Sequence, residues 1–371
     1  MARLARQFAY GSFQEMTNHP RQPISIVGGG LSGLALGILL ARHGIQVELF
    51  ESHPYPHHRV CGEFISGLNP ALVADLGITD LLDDAHRHDQ TTWHAQDGTT
   101  FHRFRLHQPA YGISRYRLDA RLARRFRESG GNLIQHRWRD YERHEKVIYT
   151  TGRSHTRQKI KPKWIGLKLH ARGFNSDSHL EMHLGRGGYV GASSVEDGIT
   201  NLCGLFPATA WQSSRSVSNF ESALDAIALH TLRRRLDSCE IIPGTRCGTL
   251  HFQPGYQTPI KSKCCIGDSM LQIPPFTGHG MSMAFEAAWI AHAPLLDYVQ
   301  GGIDWKTAVL QIRRSLSTRH SLRVQLACLL HPVMLRGRLP QYWKWFGALL
   351  GPLTPRVSPV LWGEAPRLRI S

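Results

Sequence analysis

Long apolar runs are missing from these 371 residues: no stretch approaches about 18 uninterrupted apolar positions, so no bilayer-spanning helix is expected. Residues 1–23 carry arginines and polar side chains without the apolar core of a secretory signal, and none is expected. Cysteine is sparse: seven residues, an odd number with no C-x-x-C spacing, argue against a disulfide framework and a zinc site. No metal ligand is therefore assigned, and a reducing cytoplasm fits. Acids are few, 28 against 44 Lys and Arg, which leaves a net charge of +16 beside 22 histidines. No zinc-finger spacing, RNP-like stretch or basic low-complexity tail accompanies that charge, so nucleic acid is not the expected partner. The charge reads either as compositional bias or as docking on an anionic membrane or an acidic carrier. With 42% hydrophobic residues and nine tryptophans the chain folds, and its length allows two joined domains.

What is present begins at residue 24. Ile24-Ser-Ile-Val-Gly-Gly-Gly-Leu-Ser-Gly33 reads as a strand, a glycine turn and a helix start, and Val47-Glu-Leu-Phe-Glu51 as a second strand ending on an acid. Gly28, Gly30 and Gly33 have G-x-G-x-x-G spacing. Gly28 turns the chain, Gly30 lets backbone approach a pyrophosphate, and Gly33 lets the helix press on the sheet. The helix from Leu31 to Arg42 aims its first amides, at Leu31 and Ser32, and its dipole at that pyrophosphate. Glu51 can accept both hydroxyls of an adenosine ribose, and an acid there argues against a 2′-phosphate. The segment binds an adenine dinucleotide.

Residues 264–288 supply a second pattern: a short strand, Gly267-Asp268, a Pro-rich loop with Pro275, then Gly278-x-Gly280 and a helix from Met281. Asp268 suits a ribityl hydroxyl or a pyrophosphate-linked water, and the glycine loop suits a ring oxygen or phosphate. Here the chain resembles the flavoprotein superfamily of p-hydroxybenzoate hydroxylase, the geranylgeranyl reductases and the flavin-dependent halogenases. The resemblance implies FAD, with two distant stretches folding onto one cofactor. It also implies an α/β fold: a Rossmann-like FAD-binding domain (24–163 and 256–300), an interleaved antiparallel β-sheet substrate domain (164–255), and a helical C-terminal region (301–371) behind an N-terminal extension (1–23).

Weaker anchors extend the resemblance. Arg59-Val-Cys61-Gly-Glu63 matches a loop that relatives place beside the flavin ring, resembling the C-G-G segment of geranylgeranyl reductases. Arg115, with Leu118 and Leu122 in register, matches a helix whose arginine lies near the FAD pyrophosphate. Val147-Ile-Tyr-Thr-Thr-Gly152 matches the strand and glycine on the adenine side. Cys61 can tune the ring or carry a proton if Arg59 and His58 lower its pKa, or simply pack beneath the ring. Glu63 reads as a general acid or a loop anchor. Two features are lacking. The D-G of the second hydroxylase fingerprint does not follow Gly152, which leaves NAD(P)H, where it serves at all, as a transient reductant. No halogenase W-x-W-x-I-P occurs, nor a lysine at a matching place, which argues against halogenation. The stretch between Trp138 and Val147 is also short, so a small three-stranded excursion of the relatives is expected to be trimmed.

Segments from Trp164 to Leu205 alternate apolar and polar residues, as strands with one wet face do. Lys168, His170, Glu181 and His183 sit at period-2 positions, facing either the substrate cavity or solvent. Residues 305–330 have a basic amphipathic helix pattern, and Leu339 to Leu353 set aromatics beside cations. Both suit a lid on the flavin domain or an interfacial element. The favoured activity is a flavin monooxygenase acting on an apolar, aromatic or carrier-borne small molecule. The alternatives are a geranylgeranyl-reductase-like alkene reductase acting on a lipid, and a flavin-binding protein without catalysis. Electrons would come from transient NAD(P)H or an electron-donor protein.

Overall fold

The computed structural model describes residues 23–138, 146–152, 163–176, 180–209, 219–249, 252, 254–257 and 263–336. The tail beyond Arg336, including the aromatic stretch 339–353, lies outside them, as does the stretch 139–145 where a trimmed excursion was expected.

Strand β1 (Ile24–Val27) enters helix α1 (Leu31–Arg42) and returns as β2 (Val47–Glu51). All but Arg42 of α1 is buried, which explains why the helix is apolar on every side. β1 pairs in parallel with β2 and with β7 (Val147–Tyr149). β6 (Asn132–Gln135) and β15 (Cys264–Cys265) complete a five-stranded parallel sheet in the order β15-β7-β1-β2-β6. Helix α3 (Arg115–Glu128) buries Leu118, Leu122, Ala123 and Phe126 against α1, where Gly37 lies so near the Phe126 ring that a Cβ would come within 2.7 Å.

The second sheet is mixed: β12 (Glu240–Ile241), β8 (Trp164–Arg172), β11 (Ile199–Pro207), β10 (Gly188–Ser194), β9 (Leu180–Gly185), β4 (His86–His94), β5 (Thr100–Gly112) and β3 (Phe64–Ile65), with β13 (Cys247–Thr249) also on β8. It therefore draws strands from 64–112 as well as from the later segment. One face, carrying Trp93, Met182, Leu184, Tyr189 and Leu205, packs on the parallel-sheet half. The other, carrying Leu167, Leu169, Val190 and Leu202, is covered by α4 (Phe220–Ala226) and α5 (His230–Asp237).

Helix α6 (Gly280–Val299) lies against α1, and α7 (Trp305–Leu335) against α6. Asp304 caps α7 by accepting the Thr307 amide at 2.7 Å. Val309, Ile312, Leu316, His320, Val324, Ala327, His331 and Met334 recur at helical spacing and are all buried. The amphipathic stripe expected at 305–330 thus docks on the protein, while Leu310, Leu322 and Leu329 stay exposed. Among the described residues no helix is long and apolar enough to cross a membrane.

Candidate active site

The first glycine turn is shaped by its neighbours. Gly28 has φ 108°, which L side chains avoid, and a Cβ there would lie 2.5 Å from the Thr150 carbonyl oxygen. At Gly33 a Cβ would come within 2.1 Å of the Gly28 carbonyl oxygen, so this glycine lets α1 meet the turn. At Gly30 a Cβ would meet nothing within 4 Å. Gly30, the residue before α1, has no side chain with which to cap the first amides of α1, including those of Leu31 and Ser32. Likewise at α6, His279 provides no side-chain cap above Gly280 and Met281. Two uncapped helix starts are a natural setting for anionic oxygens.

The two motifs meet. Gly267 (φ 61°) begins a short turn with Asp268, and a Cβ on it would lie 2.3 Å from Ser32 Oγ. Ser269 Oγ lies 3.4 Å from Thr151 Oγ1, beside Gly152, whose own Cβ would point into open space. Pro275 opens the loop to Gly278 (φ 69°), which is pressed on Phe64 and whose carbonyl accepts the Ser66 amide at 3.3 Å.

Glu51, buried at the end of β2, accepts the Gly29 amide at 2.8 Å and the Arg59 guanidinium at 3.1 Å on Oε2. Burial alone would raise its pKa; Arg59 and the amides of Gly29 and His53 outweigh that and hold it low, so the acid is ionised. Tyr55 donates its hydroxyl hydrogen to the Gly29 carbonyl. Arg59 also reaches Asp119 at 3.2 Å, and Arg115 grips the same carboxylate at 2.7 and 2.8 Å. Asp119 is fully buried, so one carboxylate fixes both arginines that the sequence singled out. Sequence reasoning missed it, although its spacing four residues after Arg115 on a helix was a readable signal.

Cys61 and Glu63 sit where the two halves of the molecule meet. Asn201 Nδ2 donates to the Cys61 and Gly62 carbonyls at 3.1 and 2.8 Å. Glu63 has φ 53°, strained for a side chain of its size, and is completely buried. Its Oε1 accepts Lys168 Nζ at 2.6 Å and the Arg115 amide at 2.9 Å, and its Oε2 lies 2.6 Å from His170 Nε2. Burial pushes the Glu63 pKa up, but Lys168 and His170 outweigh burial and the group is held below its ordinary value. A carboxylate with its oxygens so occupied has no proton to give, which favours the anchor role over the acid. Of the two readings of Cys61, activation is disfavoured: burial raises the thiol's pKa, and the main opposing cation is Arg115 rather than Arg59 or His58.

The β-register separates the four polar residues that period-2 spacing left together. Lys168 and His170 pair with Cys203 and Asn201 and turn to Glu63. Glu181 and His183 flank Met182, which packs on the flavin-motif half, and therefore point to the opposite face. None of the four is solvated; all are buried. Beyond Lys168, His58 lies 3.4 Å from Nζ and stacks on exposed Tyr116, its pKa lowered to about 4 by burial and then by the lysine charge.

At the Pro275–Gly278 loop, rings gather around His331. Trp164, Phe252, Tyr189 and Phe276 lie 5.3, 6.0, 6.1 and 6.3 Å from it by ring centroid. Its Nε2 has no hydrogen-bond partner among the described residues, and burial lowers its pKa to about 4. Nothing in the sequence linked these five positions, since they come from three strands or loops, a turn and a helix.

The NAD(P)-binding Rossmann-like domain family matches residues 26–79. No curated protein sequence matches the chain significantly. Among solved structures, the flavin-dependent brominase Bmp2 superposes with a TM-score of 0.71 at 18% identity, covering 92% of this chain and 93% of its own. PqsL of P. aeruginosa, solved in complex with 2-aminobenzoylacetate, gives 0.67 at 15% identity, over 87% and 99%. A geranylgeranyl bacteriochlorophyll reductase-like protein from Thermoplasma acidophilum gives 0.63 at 16%, over 82% and 86%. The chain has the fold of the FAD-dependent oxidoreductases, a mixed α/β architecture, as the motifs implied.

Proposed function

We propose that the chain holds FAD and is a monooxygenase acting on an apolar or aromatic small molecule. One observation carries the cofactor reading: the uncapped starts of α1 and α6 lie in motifs that touch where Gly267 meets Ser32, beside the open space at Gly30. The amides of Leu31, Ser32 and Gly33 suit the diphosphate, Glu51 the adenosine ribose, Asp268 the ribityl side, and Gly280 and Met281 the ring's polar edge. Arg59 and Arg115, locked on Asp119, set the positive field around the diphosphate, and Gly152 leaves the adenine side open. FAD, once reduced, supplies electrons to oxygen or directly to a substrate.

The protein's own part is positioning, water exclusion and proton supply. The rings around His331, on the sheet face that packs toward the flavin motifs, form an apolar wall with one polar atom, suited to orienting a planar molecule. Lys168 holds a proton on Nζ against Glu63. His58, neutral at pH 7, is placed to pass protons between that lysine and solvent. The PqsL complex with 2-aminobenzoylacetate, on the same fold, supports the aromatic reading. The reductase-like neighbour favours the second reading, reduction of an alkene in a lipid or prenyl substrate. The sequence contains one complete dinucleotide motif, which supports electrons arriving from transient NAD(P)H or a donor protein.

The test mixes reduced protein with candidate aromatics and prenyl lipids, with and without oxygen. Oxygen consumed in proportion to a hydroxylated product supports the proposal. Anaerobic saturation of an alkene replaces it with the second reading, and a halide-dependent product moves the activity to halogenation. Protein that purifies colourless and refuses added FAD overturns the flavin reading itself.

A further inference from the structure

On the sheet face away from the flavin motifs, three metal-ligating side chains converge. Strands β4 and β9 pair in parallel with His94 opposite His183, and the two imidazoles stack at 4.6 Å with planes 10° apart. Glu181, two residues before His183, shares its face. Its Oε2 lies 2.9 Å from His183 Nε2 and 3.8 Å from His94 Nε2, and all three ligand atoms fall within 4.8 Å of one another. Tetrahedral zinc with bonds of about 2.0–2.1 Å would space its ligands roughly 3.3 Å apart, so small shifts suffice. Glu181 and His183 are buried, unlike a solvated acidic surface patch.

We propose that His94, Glu181 and His183 form a site for a divalent transition-metal ion, zinc above all, with solvent in the fourth position. Two features beyond the donor set bear on it, the setting of His94 Nδ1 and an arginine that orients Glu181 but competes with the ion. His94 Nδ1 lies 3.3 Å from the Gly98 carbonyl oxygen, which can only accept a hydrogen. With Nδ1–H donated to that carbonyl the ring would offer Nε2 as a ligand atom; Thr100 Oγ1, also 3.3 Å from Nδ1, supports the competing tautomer, in which Nε2–H faces the Glu181 carboxylate until an ion displaces it. Arg235 of α5 grips the same carboxylate, Nη1 to Oε2 at 2.8 Å and Nη2 to Oε1 at 3.2 Å, and is itself held over the Phe174 ring at 4.3 Å. It orients Glu181 and, as a cation, opposes the ion. The metal would clip β4 to β9, the parallel pair joining strands from distant parts of the chain. No redox change or bond-making follows, and the site is independent of the flavin chemistry.

The experiment uses the full chain, stripped of metal by chelator dialysis, titrated with ZnCl2 by calorimetry and with CoCl2 by visible absorbance. One ion per chain is expected, with tetrahedral cobalt bands free of thiolate charge transfer, and a higher melting temperature when zinc is saturating. H94A and H183A should each weaken binding by at least about tenfold, the loss typical even of outer-sphere changes. R235Q should bind more tightly, because it removes the competing cation while leaving the ligands. His94 is only partly buried, so H94A keeps the test decisive even if H183A does not fold. Absence of stoichiometric binding, binding indifferent to H94A, or cobalt bands with thiolate character would each overturn the proposal and leave His94, Glu181, His183 and Arg235 as an ion-pair network.

Discussion

Replacing Glu63 with glutamine probes the joint between the two halves of the molecule. The buried carboxylate accepts Lys168, His170 and the Arg115 amide, with two contacts at 2.6 Å. Glutamine keeps the shape but removes the charge, and its NH2 group must face a donor. Lys168 is then a buried ammonium without a counter-ion, since its other neighbour, His58, is uncharged at pH 7. Breaking one partner of a buried pair costs about 3–5 kcal/mol, a large share of the roughly 5–15 kcal/mol that keeps a domain folded. E63Q should therefore lose about 3 kcal/mol in urea unfolding followed by tryptophan fluorescence at pH 7. The pH sign follows from the depressed pKa of Glu63 in the fold. Its contribution is complete above the unfolded carboxylate pKa of about 4.3 and is lost as pH falls through the lower folded value. The gap between wild type and E63Q should thus be widest at neutral pH and narrow at acid pH. The double variant E63Q/K168M should be less destabilised than the sum of the singles, because methionine removes the stranded charge. A loss under about 1 kcal/mol, or strict additivity with K168M, would refute the reasoning.

Gly30→Glu should yield a stable but colourless protein, because a side chain at 30 meets open space in the fold and only the cofactor would collide with it; flavin absorbance and melting temperature read the two effects separately. Gly28→Ala should cost about 2 kcal/mol of stability from strain at φ 108° and contact with Thr150, seen in the same melts. Asp268→Ala should lower flavin content while leaving far-UV circular dichroism unchanged. Truncation after Arg336 should keep the flavin but weaken binding to anionic vesicles at low salt, each lost Lys or Arg accounting for about 1 kcal/mol, measured by co-sedimentation.

The backbone features proposed to hold FAD were legible because each is local: a turn needing glycine, a helix needing an open start, an acid at a strand end. Gly28, Gly33 and Gly267 announce themselves since no other residue fits their backbone or their neighbours. The Glu63 node was half legible, because Lys168 and His170 show period-2 spacing but their partner lies about a hundred residues earlier, and only the register of β8 against β11 decides which way they turn. Glu181 and His183 show the limit of that method. They have the same spacing as Lys168 and His170, yet one residue's difference in register sends them to the other face. The aromatic wall was hidden for a different reason: Trp164, Tyr189, Phe252, Phe276 and His331 obey no shared period, being joined only by the packing of α7 over the sheet.

That packing also changes how the C-terminal region should be read. A basic amphipathic pattern is ambiguous between a helix lying on a membrane and one lying on its own protein, since both bury one stripe. In α7 the stripe from Val309 to Met334 is already buried, and the Leu335 carbonyl accepts the Gly187 amide at 2.8 Å. His331 and Met334 are core residues, so a cut after Leu330 would remove part of the aromatic wall and lose stability before it said anything about lipid. If the C-terminal region docks at all, it must do so through the outward residues of α7 or the segment beyond Arg336, and truncation after Arg336 separates these two. If a chain ending at Arg336 melts as the full chain does, holds its flavin and still binds anionic vesicles as strongly, the tail is not the docking element. The attraction then belongs to the folded basic surface and should fall with salt in both chains alike.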